Sequence, residues 1–203
     1  MIIRELDDGV VIRRLDAESG PRWRAPFTGA YQTIFSGHPY YERYYPSEAE
    51  GIFRKLLSTP DGIFLVATRG EMQVLGFGVA IPVQAKASVA AELTGLVPTK
   101  HTMYLAEMGV LEAYRGRGLG KLLVSERLRL MDHANYSHVV LRVSTTESPS
   151  RQLYIDLGFE DMGVYMEVSS MRTDGRVKTD RRLFMSMVLS QVKLPPGGDQ
   201  SDE

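Results

Sequence analysis

Apolar residues fall along this chain in two rhythms: short continuous runs, and spacings of three and four. Val10, Val11 and Ile12, then Arg13-Arg14-Leu15, form a first strand after the Asp8-Gly9 turn. Over 18–35, Trp23, Phe27, Tyr31, Ile34 and Phe35 recur at helical spacing, with Pro21 and Pro26 restricting where a helix starts. The aromatic-dense stretch 37–46 ends at Pro46. Ser47 then offers an N-cap and Glu50 completes a capping box for a helix carrying Ile52, Phe53, Leu56 and Leu57, which Pro60-Asp61-Gly62 ends. Residues 63–68 are a continuously apolar strand; after the turn at 69–71, residues 74–83 return as its hairpin partner. The stretch 84–101 reads as an inserted helix or lid-like excursion before the central strand, 102–111.

A glycine-rich loop follows, then a helix over 119–133 with Leu119, Leu123, Val124, Leu128, Leu130 and Met131 along a broad apolar stripe. Residues 138–143 form a strand reached by a right-handed crossover, hence parallel to the central one. Ser148-Pro149 caps and opens a short helix that stops at Gly158. Two long strands, from Phe159 onward and over 182–189, make a final hairpin around Thr173-Asp174-Gly175. This order specifies an α/β fold with a mixed sheet.

Composition narrows the function without naming it. At 203 residues, 43% hydrophobic and 24% charged, the chain suits one domain, taken here as 1–194, with 195–203 (PPGGDQSDE) expected to be a disordered tail. A net charge of −1 gives no global pull towards nucleic acid or an anionic membrane. There is no Cys, so disulfides, thiolate catalysis and Cys-based metal sites are excluded, and the His residues (38, 101, 133, 138) lack metal-motif spacing. With neither a signal pattern nor a spanning apolar run, a soluble cytoplasmic protein is the expectation.

The chemistry concentrates in 104–121, YLAEMGVLEAYRGRGLGK. An apolar strand there turns through Arg115-Gly116-Arg117-Gly118-Leu119-Gly120-Lys121 straight into a helix. Glycine permits positive φ and close approach of an anion to backbone N–H groups. The first N–H groups of a helix lack intrahelical partners and carry partial positive charge, so this junction suits phosphate. It is not a Walker loop, because Leu122 follows Lys121, nor the dinucleotide fingerprint, because the glycines run 116, 118, 120.

Arg115-Gly116-Arg117-Gly118-Leu119-Gly120 resembles the Arg/Gln-x-x-Gly-x-Gly/Ala motif of the GNAT superfamily of acetyl-CoA-dependent N-acetyltransferases. A second family feature, Leu-Tyr-x-x-x-Gly-Phe, is met at Leu153-Tyr154 through Gly158-Phe159. The resemblance implies a mixed, mostly antiparallel central sheet flanked by helices, with a long C-terminal β-hairpin. It implies acetyl-CoA as acyl donor, held by Met108, Gly109 and Val110 of the central strand and by the loop 115–121, with no metal. One departure is Glu147, where many members carry Asn seven residues before the Tyr.

The implied reaction moves an acetyl group to a primary amine of a small molecule or peptide by direct attack. Glu107 is the candidate base and Tyr154, in the family position, the candidate acid for the leaving thiolate. Glu107 could equally orient substrate or support the strand, since neighbouring strand positions face opposite ways, and Tyr154 could be a core aromatic. Tyr31 in the first helical stretch, and Tyr40 and Tyr41 in the aromatic cluster between the first two helices, are candidate acceptor contacts. A catalytically silent acyl-CoA sensor or assembly module is the alternative. Nucleic acid and membrane are not expected partners; a homodimer through the last hairpin is an expectation drawn from the family.

Overall fold

The computed structural model describes residues 1–191, so the tail expectation for 195–203 lies outside the described residues. An eight-stranded sheet in the order β1-β2-β3-β4-β5-β6-β8-β7 carries helices on both faces. Its strands are β1 (Ile2–Glu5), β2 (Val10–Leu15), β3 (Ile63–Arg69), β4 (Gln73–Pro82), β5 (Thr102–Val110), β6 (His138–Ser144), β7 (Glu160–Met171) and β8 (Val177–Val188). Among these strands only β5 and β6 pair in parallel. The helices are α1 (Arg24–Ser36), α2 (Pro46–Leu57), α3 (Ala87–Glu92), α4 (Leu119–Leu130) and α5 (Pro149–Asp156).

The mixed, mostly antiparallel sheet and the long final hairpin are as the sequence led one to expect; some boundaries are not. The strand at Val10–Leu15 is the second, because Ile2–Glu5 pairs antiparallel with it as an edge strand too short and polar to show a pattern. The cap of α2 is Tyr45, not Ser47: Pro46 opens the helix with its preset φ, and Glu48 accepts the Tyr45 N–H at 2.6 Å. Helix α4 ends at Leu130, short of His133. Residues 84–101 resolve into the brief helix α3 between single-turn 3-10 segments, with Val89 and Leu93 anchoring it in the core.

The sheet separates two cores. One packs α4 and α5 against Leu65, Ala80, Leu105 and Leu141. The other packs α1, α2 and α3 against Phe64, Phe77, Val79, Tyr104 and Val140. Phe27 sits at the centre of the second, 4.9–5.4 Å from the rings of Tyr31, Phe53, Phe64 and Phe77. Each such fully buried aromatic contributes about 1.5–3 kcal/mol from surface removed from water. Among the described residues no helix is long and apolar enough to cross a membrane.

Candidate active site

Strand β5 pairs with β4 over most of its length, but with β6 only through Thr102–Leu105 opposite His138–Leu141. Past that point β6 continues on β8, so the two parallel strands part. A β-bulge lies at the same place: Val79 pairs with Glu107 and Ala80 with Leu105, leaving Ala106 as an extra residue. Strict alternation would put Glu107 on the face of Leu105, towards α4 and α5. The bulge instead sends Ala106 and Glu107 together to the α1/α2 face, while Met108 returns to the α4/α5 face.

Arg127 of α4 holds the bulge open. It is fully buried, and its Nη1 donates to the carbonyls of Val79 at 3.1 Å and Glu107 at 3.4 Å, while Nε donates to Leu123 O at 3.0 Å. The extra residue disrupts the ladder, and the guanidinium supplies donors where strand N–H groups do not. The planar group lies against Gly78, where a Cβ would stand 2.8 Å from its Nε. Burial lowers the Arg127 pKa to about 10, still well above neutrality, so it is a buried cation.

Glu107 is half-buried on the wall of a pocket between α2, β4, β5 and β6. The Tyr31 hydroxyl donates to its Oε2 at a long 3.4 Å. Burial pushes the carboxyl up to about 7; Lys86, Tyr31 and Arg142 pull it down, and the Glu42 carboxylate adds to the rise. That places it where a proton acceptor works at neutral pH. Tyr31 itself is 1% exposed and its phenol is raised by burial, so only its hydroxyl reaches the site. Tyr40 is half-buried against Phe35, ring centroids 5.0 Å apart, and Tyr41 is half exposed with φ +51°.

Tyr154 of α5 is buried on the opposite face, where its hydroxyl donates only to Met108 Sδ at 3.8 Å. A thioether is a weak acceptor, so that proton is available to a stronger one. Burial raises the phenol's pKa and keeps it protonated; the Arg127 cation opposes the rise. The helix bearing Tyr154 forms as expected, with Ser148 Oγ accepting from Arg151 N at 3.3 Å and Gly158 at φ +91°. Glu147 lies exposed in the loop before it.

The glycine loop opens α4. Gly116 and Gly118 have φ of +72° and +80°, and a Cβ at either would touch nothing, so conformation and not space requires glycine. None of the backbone N–H groups from 116 to 121 donates to another part of the described backbone, whereas Leu122 N closes on Gly118 O at 3.0 Å. This leaves a nest of donors at the positive end of a three-turn helix. Arg117 lies over the Tyr114 ring and Lys121 is exposed. Arg115 is engaged otherwise: Nε donates to Val110 O at 3.0 Å and Nη1 to His38 O at 2.7 Å, tying the loop to the segment between α1 and α2. That segment is also pinned to the last hairpin, through Arg43 N to Met171 O and Thr173 N to Tyr41 O.

A parted pair of strands, a donor nest at one end and polar groups on both faces could hold an extended, phosphate-bearing ligand. Residues 28–159 match the Acetyltransferase (GNAT) family. The chain belongs to this family. It is 32% identical to rat (Rattus norvegicus) N-acetyltransferase 8B over 114 residues, 56% of this chain and 46% of that one. It is also 32% identical to rat N-acetyltransferase 8F1 over 102 residues, 50% and 41% of the two chains. The chain thus spans less than half the length of these curated relatives. Among solved structures, Arabidopsis thaliana NAA60 in complex with acetyl-CoA superposes with a TM-score of 0.62 at 16% identity, covering 89% of this chain and 99% of the other. A GCN5-related N-acetyltransferase from Kribbella flavida gives 0.58 at 18%, covering 90% and 99%. These neighbours share the fold.

Within the GNAT frame, the structure adds residues that the sequence reading left out. Arg127 sits on the apolar stripe of α4, four after Leu123 and three after Val124, where a cation is out of place. That irregularity, with Gly78 in the middle of a strand, was the available signal. Arg142 and Lys86, both beside Glu107, had none, because a strand crossover and a long excursion bring them there.

Proposed function

We propose that this chain is an acetyl-CoA-dependent N-acetyltransferase in which Glu107 accepts a proton from a primary amine and Tyr154 donates one to the leaving thiolate. The observation that supports it is the placement of these two groups on opposite faces of the sheet at the point where β5 and β6 part. The nest at 116–121 fits a pyrophosphate, and the open edge of β5 around Met108, Gly109 and Val110 fits an extended amide-bearing arm. Bound acetyl-CoA supplies a thioester: attack by the amine forms the C–N bond and breaks the C–S bond.

An alkyl amine with a pKa near 10.4 is neutral in only about 1 part in 2,500 at pH 7, a deficit of roughly 4.6 kcal/mol. Glu107, raised to about 7, is matched to accept that proton directly or through water. Tyr154 remains protonated and has no strong acceptor of its own. Arg127, near its hydroxyl, offsets negative charge that develops on that face. The acceptor enters from the α1/α2 face, where Glu107 opens into the pocket.

The test is a screen of amines and peptides with acetyl-CoA, following release of free CoA thiol. Turnover that is lost in Glu107→Gln and Tyr154→Phe supports the assignment. Tight acetyl-CoA binding with silence across the screen would favour the sensor reading instead.

A further inference from the structure

The pocket beside Glu107 carries more positive charge than the reaction uses. Lys55 of α2, Lys86 before α3 and Arg142 of β6 share its lining with a single carboxylate, Glu107. No Asp or Glu oxygen among the described residues lies within ion-pair distance of any of the three cations. Arg142 is not a loose surface charge. It is half-buried, Nε donates to Tyr104 Oη at 2.9 Å, Nη1 to Met166 Sδ at 3.0 Å, and the guanidinium lies 5.6 Å from the Tyr104 ring centroid. Both partners are neutral, so they orient the group without cancelling its charge. Its Nη2 donates to nothing among the described residues, and Arg142 lines the pocket. A half-buried, pre-oriented guanidinium without a counter-anion is a receptor for a carboxylate.

We propose that the acceptor is an amino acid-type molecule, a primary amine that also carries a carboxylate, with its amine at Glu107 and its carboxylate at Arg142, and with Lys86 and Lys55 at the rim. This inference rests on the acetyl-transfer reading above and narrows its substrate class. It accounts for why a site that must deprotonate a cationic amine is lined by cations: they repel simple amines and are offset by the acceptor's own anion. Bonds formed and broken are those of the transfer already described, and the carboxylate takes no part in them.

The experiment compares matched pairs by CoA release: phenylalanine with phenethylamine, glycine with methylamine, and γ-aminobutyrate with propylamine. The carboxylate member of at least one pair is expected to have the higher kcat/KM, by about 10- to 100-fold, the range of a charge-assisted hydrogen bond. Arg142→Gln is expected to collapse that ratio towards one through KM, and Lys86→Gln, at an exposed position, to reduce it in the same direction. A guanidinium that only tuned Glu107 would change both members of a pair alike and leave the ratio intact. A peptide beginning with Glu against one beginning with Gln separates the sources. Preference confined to the peptide pair overturns the assignment to a free amino acid. Equal turnover within every pair overturns the carboxylate inference while acetyl transfer stands. Silence on all members, with acetyl-CoA bound, overturns the acetyl-transfer reading and this inference with it.

Discussion

At the scale of single residues, the proposed reaction needs Glu107 deprotonated and Tyr154 protonated. Glu107 must be charged to act, so kcat/KM should rise with pH through about 7, read with an acceptor whose own amine titrates well away from that value. Glu107→Gln should lose this limb and about 10²–10⁴ in rate. The stability effect has the opposite sign. With a folded pKa above its ordinary 4.5, Glu107 favours the folded state below that value and loses this contribution as pH rises to about 7. Thermal melts at pH 8 should therefore show Glu107→Gln more stable than the parent; a lower melting temperature would contradict the raised pKa. Tyr31 donates to the charged carboxylate, so Tyr31→Phe should move the limb to higher pH. Tyr154→Phe should lower kcat while calorimetry finds acetyl-CoA affinity little changed. Equal turnover, with chemistry shown to limit the rate, would remove Tyr154 from the acid role.

Among the elements, the bulge in β5 decides which face receives Glu107, and it was not legible in the sequence. Periodicity shows that 102–110 is a strand, but an inserted residue leaves no mark in an apolar run; the partner's register creates it. Here Val79, Ala80 and the buried Arg127 settle it, all distant in sequence. Removing Ala106 would take out the bulge and leave Leu105, Glu107 and Met108 in plain alternation, so Glu107 should stay on the α1/α2 face and turnover should persist, and calorimetry of acetyl-CoA binding tests whether the loop survives. Gly78→Ala places a Cβ 2.8 Å from Arg127 Nε and should cost about 1–3 kcal/mol in chemical denaturation. By contrast, the loop was readable residue by residue. Positive φ at Gly116 and Gly118 and the turn into α4 follow from local chemistry alone. What it could not show is that Arg115, read there as a contact to acetyl-CoA, has a partner within the chain, the His38 carbonyl 77 residues earlier.

For the whole molecule, element order and the run of paired strands were legible, because continuous apolar runs and helix caps are local signals. The edge strand Ile2–Glu5 was not, since its burial is slight and its pairing comes from β2. A ligand gripping the nest on α4 and the open edge of β5 spans several elements, so binding should stabilise the fold as a unit. At 100 times its Kd, acetyl-CoA should add about 2.7 kcal/mol, or about 5–10 °C in Tm for a chain of this size. No shift at saturating acetyl-CoA would remove the donor assignment. The division of labour between the faces carries a kinetic signature. In the proposed reaction the base stands on one face of the sheet and the acid on the other, and the chain has no Cys to carry the acetyl group between them. Direct transfer as proposed needs both reactants present at once, so initial-rate lines at several acceptor concentrations should intersect; parallel lines would mean that the enzyme itself is acylated.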